Sequence, residues 1–332
     1  MTGAHEAVNH RLSVAPMLDW TDRHCRYFHR LISPNIVLYT EMLTTGALLN
    51  SERTDLLAYD QSEHPLVIQL GGSNPEELAV CAKMAEDAGF DEININIGCP
   101  SDRVQSGRFG ACLMREPELV AECVQKMQQA VSIPITLKTR IGVDDEADYD
   151  FFKRFVTINR DAGCETFIVH ARKALLKGLS PKQNRTIPPL LYHFPEQLKA
   201  DFPDLTVVVN GGIDTVQKAQ NHLQYADGVM IGRAFWNAPW LIRDMHNALG
   251  FQPQQTNHDD ILYAYQDYCA RMLTQGANLH WLIRPILGLF HGFPGSKKWK
   301  SYLVTEAPKR KNDIRVLSEA RTLINYVSEN RS

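Results

Sequence analysis

The sequence predicts a (β/α)8 TIM barrel followed by a smaller helical domain. Eight short apolar segments alternate with segments of helical pattern through roughly the first 240 residues, which is typical of a parallel sheet covered by helices. About 250 residues is the usual length of such a barrel. The alternation stops after residue 245. We therefore predict a catalytic barrel over residues 1–245 and a helical bundle over residues 246–332.

Each predicted strand is a short run of apolar, largely β-branched residues. The runs cover residues 12–17, 36–40, 66–70, 93–97, 133–140, 166–170, 205–210 and 228–232. Predicted helices begin near Thr21 and Asp22 and at Asn74, and others cover 41–50, 117–131, 149–162, 259–275, 281–290 and 313–329. A long polar link without a convincing helix follows the sixth strand. A doubly wound open sheet is the alternative, weakened because no G-x-G-x-x-G motif follows the first strand.

The composition is that of an ordinary globular protein, with 44% hydrophobic and 22% charged residues among 332. No stretch approaches the ~20 apolar residues of a membrane span, and the first residues lack the hydrophobic run of a secretory signal. The seven cysteines are an odd number without metal-ligand spacing. We expect a reduced, cytoplasmic protein without a metal.

Nearly every predicted strand ends, on its C-terminal side, in a residue capable of ligand contact or chemistry. These residues are Pro16 and Met17, Glu41, Gln69, Asn96 with Cys99, Lys138 with Arg140, His170 with Arg172, Asn210 with Gly211 and Gly212, and Gly232 with Arg233. Any one of them alone could cap a turn or pair with a neighbouring charge. In a barrel, however, the strand ends share one mouth, where active sites of this architecture lie. The sequence therefore predicts a site at that mouth.

Two of these strand ends are rich in glycine. They are the ends of the seventh and eighth strands, Asn210-Gly211-Gly212 and Gly232-Arg233. Barrels commonly bind phosphate there with backbone N–H groups. A Cβ would hold the backbone away from the anion, and Arg233 adds positive charge. The pattern predicts a phosphate site without identifying the phosphate.

Cys99 follows the fourth strand, in which Ile93, Ile95 and Ile97 alternate with asparagines. The strand breaks at a Gly-Cys-Pro turn, and the residues after it are polar and rich in glycine. We interpret this segment as a mobile loop that carries Cys99 over a pocket. A structural cysteine at a strand end is the alternative, and the spacing alone does not decide between the two.

The charge is distributed unevenly along the chain. The net charge is −3, yet the residues from Met245 onward contain 11 Lys and Arg against 7 Asp and Glu. In the segment 293–302 basic residues alternate with aromatic ones, and Arg284, Lys297, Lys298 and Lys300 would suit backbone phosphates of a nucleic acid. A polyanionic partner for this end of the chain is one interpretation. An ordinary solvated surface turn is the other.

Taken together, several motifs resemble those of the tRNA-dihydrouridine synthases, in order and over nearly the whole chain. They are Ala15-Pro16-Met17, Gln69, Asn96-Ile97-Gly98-Cys99-Pro100, Gly110-Ala111-Cys112-Leu113-Met114, Lys138-Thr139-Arg140, His170-Ala171-Arg172, Asn210-Gly211-Gly212 and Ile231-Gly232-Arg233. The stretches APMLDWTDRHCRYF, GCPSDRVQSGRFGACLM and HARKALLKGLSPKQNR are similar to the A-type bacterial members. The resemblance implies an FMN-bearing barrel, a C-terminal helical domain that binds tRNA, and NADPH-dependent reduction of D-loop uridines, at positions 20 and 20a for the A type. A monomer is expected.

The resemblance also implies roles for individual residues. Cys99 takes the place of the proton donor, and Asn96 that of a contact to the target uridine. FMN would be held by Pro16, Met17, Leu18, Gln69, Lys138, His170, Asn210, Gly211, Gly212, Gly232 and Arg233. Contacts to tRNA would come from Arg172, Lys182, Asn184, Arg185, Arg284, Lys297 and Lys300. The lysines at 297, 298 and 300 stand where arginine is expected, which favours backbone contact over bidentate recognition.

The chemistry of uracil reduction makes this set of residues reasonable. A hydride adds at C6, negative charge moves toward the C4 carbonyl, and a proton is needed at C5. Lys138, His170 and Arg172 could stabilise that charge, and Cys99 could donate the proton as a neutral thiol. Three alternatives are a flavin barrel acting on a free pyrimidine, like dihydroorotate dehydrogenase, an aldolase with Lys138 as Schiff-base nucleophile, and an RNA-binding module that has lost catalysis.

Overall fold

The structure is a computed structural model that describes residues 8–52 and 55–325. Its strands are β1 (Leu12–Val14), β2 (Leu38–Thr44), β3 (Leu66–Gly71), β4 (Glu92–Ile97), β5 (Ile135–Thr139), β6 (Thr166–His170), β7 (Thr206–Asn210) and β8 (Gly228–Ile231). All are parallel and lie in one sheet in the order β1-β8-β7-β6-β5-β4-β3-β2. The eight predicted strands are therefore confirmed.

The two ends of this sheet meet and close the barrel. Ser13 in β1 forms a parallel bridge with Val37, the residue before β2. The N–H of Val14 donates to the Val37 carbonyl (2.9 Å), and the N–H of Val37 donates to the Leu12 carbonyl (3.0 Å). The predicted (β/α)8 TIM barrel is confirmed.

The barrel interior is apolar over much of its length and polar along one side. Its apolar cluster consists of Ala15, Val37, Tyr39, Val67, Ile168, Val208 and Met230. Gln69, Glu92, Asn94 and Thr136, from β3, β4 and β5, are buried as well. Buried polar side chains need hydrogen-bond partners, and these four residues bond to one another, as described below.

The helices are α1 (Arg23–Ile32), α2 (Thr45–Asn50), α3 (Pro75–Ala88), α4 (Asp102–Ser106), α5 (Pro117–Ala130), α6 (Tyr149–Asp161), α7 (His193–Asp201), α8 (Val216–His222), α9 (Arg233–Asn237), α10 (Trp240–Ala248), α11 (His258–Thr274), α12 (Leu279–Leu282), α13 (Ser296–Lys309) and α14 (Arg315–Arg321). Short 3-10 helices cover Gln61–Glu63, Gly110–Arg115, Gln183–Arg185 and Pro285–Gly288. None of the helices in the described residues has both the length and the apolar character needed to span a membrane.

Helix starts follow the capping residues seen in the sequence. The side chain of Asp22 accepts a hydrogen bond from the Cys25 N–H at the start of α1. The side chain of Asn74 accepts from two N–H groups at the start of α3, with Pro75 as the first helical residue. These side chains satisfy N–H groups that the first helical turn leaves unpaired.

Several helix predictions differ from the structure. The link after β6 does contain a helix, α7, and the residues after Cys99 form α4 and a 3-10 helix where an irregular loop was predicted. The predicted helix over 281–290 is interrupted at Pro285, whose ring nitrogen cannot donate. The basic segment from Ser296 is helical in α13, so its interpretation as a turn is wrong. The end of the predicted helix 313–329 lies outside the described residues.

The chain divides into two compact units, Met1–Thr21 with Ile36–Gly232, and Asp22–Asn35 with Arg233–Ser332. The first contains the barrel. The second is helical, and α1 belongs to it because its aromatic side chains pack on α11: Tyr27 stacks on Tyr268 with ring centroids 3.9 Å apart. The functional division proposed at residues 245 and 246 stays a prediction.

Candidate active site at the barrel mouth

The carboxyl ends of the central strands bring the predicted site residues of the first unit together. Pairing of β4 with β5 places Asn96 beside Lys138. Pairing of β6 with β7 places His170 beside Asn210. Gln69 lies on β3, one strand away from Asn96, and its side chain bonds to that residue. The mouth predicted from the strand ends therefore exists as a set of neighbouring side chains.

Lys138 is a half-buried amine at this mouth. Its Nζ donates to Asn210 Oδ1 over 3.1 Å, and Asn210 in turn donates through Nδ2 to the Met230 carbonyl (2.7 Å). Burial, with a smaller contribution from the nearby Arg140, lowers the pKa of Lys138 to about 7. An amine with such a pKa changes its protonation state readily when an anion or a developing negative charge comes close.

The glycines after β7 have backbone conformations that other residues rarely adopt. Gly211 and Gly212 have φ values of +108° and +71°. A Cβ on Gly211 would lie 2.6 Å from the His170 ring, and a Cβ on Gly212 would lie 2.5 Å from Leu190. The Tyr192 hydroxyl donates to the Gly211 carbonyl (2.7 Å) and holds this turn. The absence of Cβ atoms lets the backbone pass close to the His170 ring.

The end of β8 lies against the segment that follows β1. A Cβ on Gly232 would lie 3.2 Å from the Met17 sulfur. The N–H of Met17 donates to the Thr21 hydroxyl (2.9 Å) and is thereby fixed. Pro16 and Met17 are half-buried, whereas Leu18 is 61% exposed. Arg233, the first residue of α9, belongs to the second unit.

Cys99 is held in a turn built by Asn96. The Oδ1 atom of Asn96 accepts hydrogen bonds from the N–H groups of Gly98 (3.1 Å) and Cys99 (2.9 Å). Cys99 is partly exposed, and its sulfur lies 3.6 Å from the Ser101 hydroxyl. The turn therefore places the Cys99 thiol beside the end of β4.

The segment from Gly98 to Arg115, here the Cys99 loop, folds back on that turn. The N–H of Ala111 donates to the Cys99 carbonyl (2.9 Å). Gly110 has φ +77°, and a Cβ on it would lie 2.5 Å from the same carbonyl oxygen. Phe109 is buried over the end of β3, where a Cβ on Gly71 would lie 2.9 Å from its ring. The loop is thus packed by contacts distant in sequence.

The segment 173–185, here the β6 link, is tied to the same turn by a buried arginine. Arg140 donates to the carbonyls of Gly98 (3.1 Å), Asn184 (2.9 Å) and Lys173 (3.3 Å). Burial lowers the pKa of Arg140 to about 10, with Cys99 acting in the opposite direction and Arg185 and Arg172 adding to the decrease. Arg140 therefore remains charged at neutral pH and holds two loops together.

Gln105 makes a second connection between these loops. Its Nε2 donates to the Pro100 carbonyl, within the Cys99 loop, and to the Leu176 carbonyl of the β6 link, each over 2.9 Å. Asn184 is fully buried, and its side chain both accepts from the Leu175 N–H and donates to the Leu175 carbonyl (2.8 Å each). Asn184, predicted as a substrate contact, is therefore placed inside the link, where it shapes the backbone.

Several cationic side chains lie on or near the turn and the β6 link. Lys182 and Arg185 are exposed on the β6 link, and Arg172 donates to the Pro188 carbonyl. Arg172 and Arg185 both contribute to the lowered pKa of Arg140, which places these three charges in one region. Such a region attracts anions.

The predicted nucleic-acid contacts after residue 245 lie in the helical unit. The Arg284 guanidinium lies 4.9 Å from the centroid of the Trp281 ring, and Trp281 is 49% exposed. Lys297 and Lys298 are exposed and Lys300 is half-buried on α13, while Trp299 between them is buried. Each unit thus presents cations of its own. No group of three or more His, Cys, Asp or Glu side chains within residues 8–52 and 55–325 could hold a metal ion.

Sequence reasoning missed the polar residues below the mouth. Glu92, Asn94 and Thr136 lie inside the barrel and connect by hydrogen bonds to Gln69 and thus to Asn96. The sequence does contain a pattern that indicates them, since Glu92, Asn94 and Asn96 occupy alternate positions along β4 and must share one face. Arg140 and Gln105 were also missed as connectors, because their carbonyl partners are set by tertiary structure.

Comparison with known proteins identifies a family and close relatives. The model of the family described as "Dihydrouridine synthase (Dus)" matches residues 13–325. A protein of Vibrio cholerae named tRNA-dihydrouridine(20/20a) synthase is 52% identical over 318 residues, covering 95% of this chain and 97% of its own. A Shigella flexneri protein of the same name is 53% identical over 317 residues, covering 95% of this chain and 93% of its own.

A solved structure with a similar fold is a 2-naphthoyl-CoA reductase in complex with 2-naphthoyl-CoA. Its TM-score is 0.54 at 10% sequence identity. The matched region covers 70% of this chain and 49% of the reductase chain, so this chain spans about half of that protein's length. At this identity the likeness concerns the barrel fold alone.

Proposed function

Because this chain belongs to the dihydrouridine synthase family, we propose that it reduces uridines of the tRNA D-loop, at positions 20 and 20a, to 5,6-dihydrouridine. The observation that carries the proposal is the turn that presents Cys99 next to Lys138 at the barrel mouth, in a chain 52% identical over almost its full length to a synthase of that name.

Enzymes of this family are flavin-dependent, and we propose FMN as the flavin and NADPH as its reductant. The residues fit such a group by their chemistry. Backbone free of Cβ atoms at Gly211, Gly212 and Gly232 suits a phosphate, and the amine of Lys138 suits an anionic or electron-rich part of the ring system. The other residues proposed to hold FMN are Pro16, Met17, Leu18, Gln69, His170, Asn210 and Arg233.

The cofactor, once reduced, supplies the hydride for C6 of the uracil. The protein's part is to orient the base, to stabilise negative charge at the C4 carbonyl and to protonate C5. Lys138, His170 and Arg172 are proposed for the second task. A low Lys138 pKa suits it, because the amine can take up a proton as negative charge develops.

Cys99 is proposed as the general acid that protonates C5. Cys99 is partly exposed, and its backbone is fixed by Asn96 on one side and by Ala111 on the other. Fixing the backbone limits the positions of the sulfur without burying it. A positioned acid contributes about 10²–10⁴-fold to the rate of a proton transfer.

A uridine in folded tRNA has to leave its stack to reach a barrel mouth. We propose that Arg172, Lys182 and Arg185 line the access route and that Asn96 contacts the base. Asn184 is proposed to act by shaping the link. Arg284, Lys297 and Lys300 are proposed to contact the tRNA backbone from the helical unit. We further propose a cytoplasmic monomer without a metal.

The deciding experiment compares two cysteines of one loop. Cys99→Ala should lose about 10²-fold or more of the single-turnover rate on unmodified tRNA while retaining flavin. Cys112→Ala is the matched control, since Cys112 is also partly exposed, and it should keep nearly the full rate. Equal rates for both variants and the unaltered protein would remove Cys99 from the mechanism, and an absence of dihydrouridine in treated tRNA would reject the function itself.

A further inference from the structure

A continuous series of side-chain hydrogen bonds runs from the Cys99 turn into the barrel. The Cys99 N–H donates to Asn96 Oδ1 (2.9 Å), and Asn96 Nδ2 donates to Gln69 Oε1 (2.9 Å). Gln69 Nε2 then donates to Asn94 Oδ1 (2.8 Å). Each amide receives a hydrogen bond on its oxygen and gives one from its nitrogen, so the series has a direction.

The series continues to the foot of the barrel, the end formed by the amino ends of the strands. Asn94 Nδ2 donates to the Thr136 hydroxyl (3.0 Å), and that hydroxyl donates to Glu92 Oε1 (2.8 Å). The second oxygen of Glu92 lies 2.8 Å from His10 Nε2. Every donor from Cys99 to Thr136 thus points toward the Glu92 carboxylate.

The inner members of the series are removed from water. Gln69, Glu92 and Thr136 are each 1% exposed, and Asn94 is 0% exposed. A buried donor or acceptor left unsatisfied costs about 1–3 kcal/mol, and these groups have one another as partners. Exchanging the oxygen and nitrogen positions of one side-chain amide would place two donors or two acceptors opposite each other. The amides can therefore reverse their orientation only together.

The direction follows from the chemistry of the last member. The Glu92 carboxyl group has no N–H, and its Oε1 accepts the Thr136 hydroxyl. Thr136 has one hydroxyl hydrogen, and Glu92 Oε1 at 2.8 Å is a closer acceptor for it than the Ile93 carbonyl at 3.4 Å, so Thr136 accepts from Asn94. The Asn94 oxygen then faces Gln69, which must present its nitrogen. The Gln69 oxygen is left to accept from Asn96, whose own oxygen is turned toward the N–H groups of Gly98 and Cys99.

Shape alone would not fix this order, because the two ends of a side-chain amide are almost equal in size. We propose that Glu92 is a positioning residue: its carboxylate sets the orientation of the Gln69 and Asn96 amides and so holds the turn that presents Cys99. Glu92 acts over four residues of β4, a rise of about 13 Å. The inference rests on the proposed roles of Cys99 and Asn96.

The test removes one hydroxyl from the middle of the series. Thr136→Val keeps the branched shape but has no hydroxyl to accept from Asn94 and donate to Glu92. Thr136→Ser keeps the hydroxyl. We expect Thr136→Val, measured as flavin-loaded enzyme at saturating tRNA, to lose about tenfold in single-turnover rate, the size of one orienting hydrogen bond. Its tRNA affinity should be unchanged, and Thr136→Ser should recover most of the rate.

A second readout separates positioning from packing. The alkylation rate of the Cys99 thiol by iodoacetamide, measured site by site, should change in Thr136→Val and return in Thr136→Ser. This measurement does not depend on Cys99 being the acid, so Cys99→Ala with full activity would reject only the proposed role of Cys99 as the acid, and an absence of dihydrouridine would reject the proposed function; in either case the alkylation result still decides the positioning. Equal rates and equal alkylation in the two folded Thr136 variants would overturn the inference.

If Thr136→Val does not fold, Glu92→Gln makes the same test at the origin of the series. Glutamine has the shape of glutamate but can donate as well as accept. We expect a severalfold slower reduction and two sets of side-chain amide signals for Gln69 and Asn96 by NMR. A single set of signals at the native positions with an unchanged rate would overturn the inference.

Discussion

The amine of Lys138 donates to the side-chain oxygen of Asn210 over 3.1 Å, across β5 and β7, which are not neighbours in the sheet. The bond spans the strand that lies between them and joins the predicted catalytic side of the mouth to the predicted phosphate side. Because Asn210 is anchored to the Met230 carbonyl, the position of the amine is fixed before any ligand arrives. Several consequences can be measured.

The pKa of Lys138 makes the stability of the flavin-free protein depend on pH. Its pKa falls from the ordinary 10.5 to about 7 in the folded chain, mainly through burial. Between these values the unfolded chain binds more protons than the native one, so this group makes stability rise as pH increases from about 7 toward 10.5. Below pH 7 Lys138 is protonated in both the folded and the unfolded chain, and its destabilising effect on the folded protein is at its largest.

Lys138→Met should remove this part of the pH dependence. We expect the difference in unfolding free energy between Lys138→Met and the unaltered protein to be largest near pH 7 and to shrink by about pH 9.5, in denaturant titrations of flavin-free protein. Subtracting the two proteins cancels the groups that they share. A difference that is constant with pH would show that Lys138 does not titrate in this window.

Gly211→Ala should disturb both stability and flavin retention. The substitution combines a backbone φ of +108° with a Cβ placed 2.6 Å from the His170 ring. We expect a loss of more than about 1 kcal/mol and a lower flavin content after purification. Gly178→Ala is the control, since Gly178 has φ +83° with no atom within 4 Å of the position that a Cβ would take. Similar flavin content in both variants would show that the contact between Gly211 and His170 is not needed for flavin binding.

The exposed cations of the β6 link should contribute to tRNA affinity through phosphates. Arg185→Ala and Lys182→Ala are each expected to weaken binding and to reduce the slope of log K against log salt by about 1. The measurement is a filter-binding titration between low and moderate salt. Lys126→Ala, which removes an exposed amine paired with Glu76 on the outer helices, should leave affinity and slope unchanged. Unaltered slopes for the link variants would show that the phosphate contacts are made by other residues.

Replacing either of two tryptophans of the helical unit should destabilise the protein, but to very different extents. Trp299 is fully buried and its Nε1 donates to the Ile286 carbonyl (3.3 Å), so Trp299→Ala should cost about 3–5 kcal/mol. Trp281 is 49% exposed beneath Arg284, and Trp281→Ala should cost less than about 1 kcal/mol. Thermal unfolding of both variants checks this, and equal losses would contradict the assigned burial.

The barrel could be predicted from sequence because its determinants are local. Each strand is an apolar run, and the order of strands and helices restricts the topology to few choices. The position of the site followed from topology as well, since Lys138, His170 and Asn210 end parallel strands. Sequence periodicity thus predicted the fold, and the order of the strands indicated which residues would meet in the candidate site.

What could not be predicted depends on contacts between distant residues. The Cys99 loop is ordered by Phe109 packing at Gly71, and a glycine-rich polar segment gives no sign of that contact. Asn184 looks like a surface residue in a polar link, but tertiary structure buries it. Helix α1 follows the first strand in sequence, yet its stacking of Tyr27 on Tyr268 places it with the helical unit.

The side-chain amide of Gln105 donates to two carbonyls, that of Pro100 beside Cys99 and that of Leu176 in the β6 link, which also carries Lys182 and Arg185. Neither segment can shift on its own without breaking a bond at the other. A nucleic acid that displaces the β6 link would therefore also move the Cys99 loop. Gln105 would therefore couple the binding of tRNA to the position of Cys99, the proposed acid.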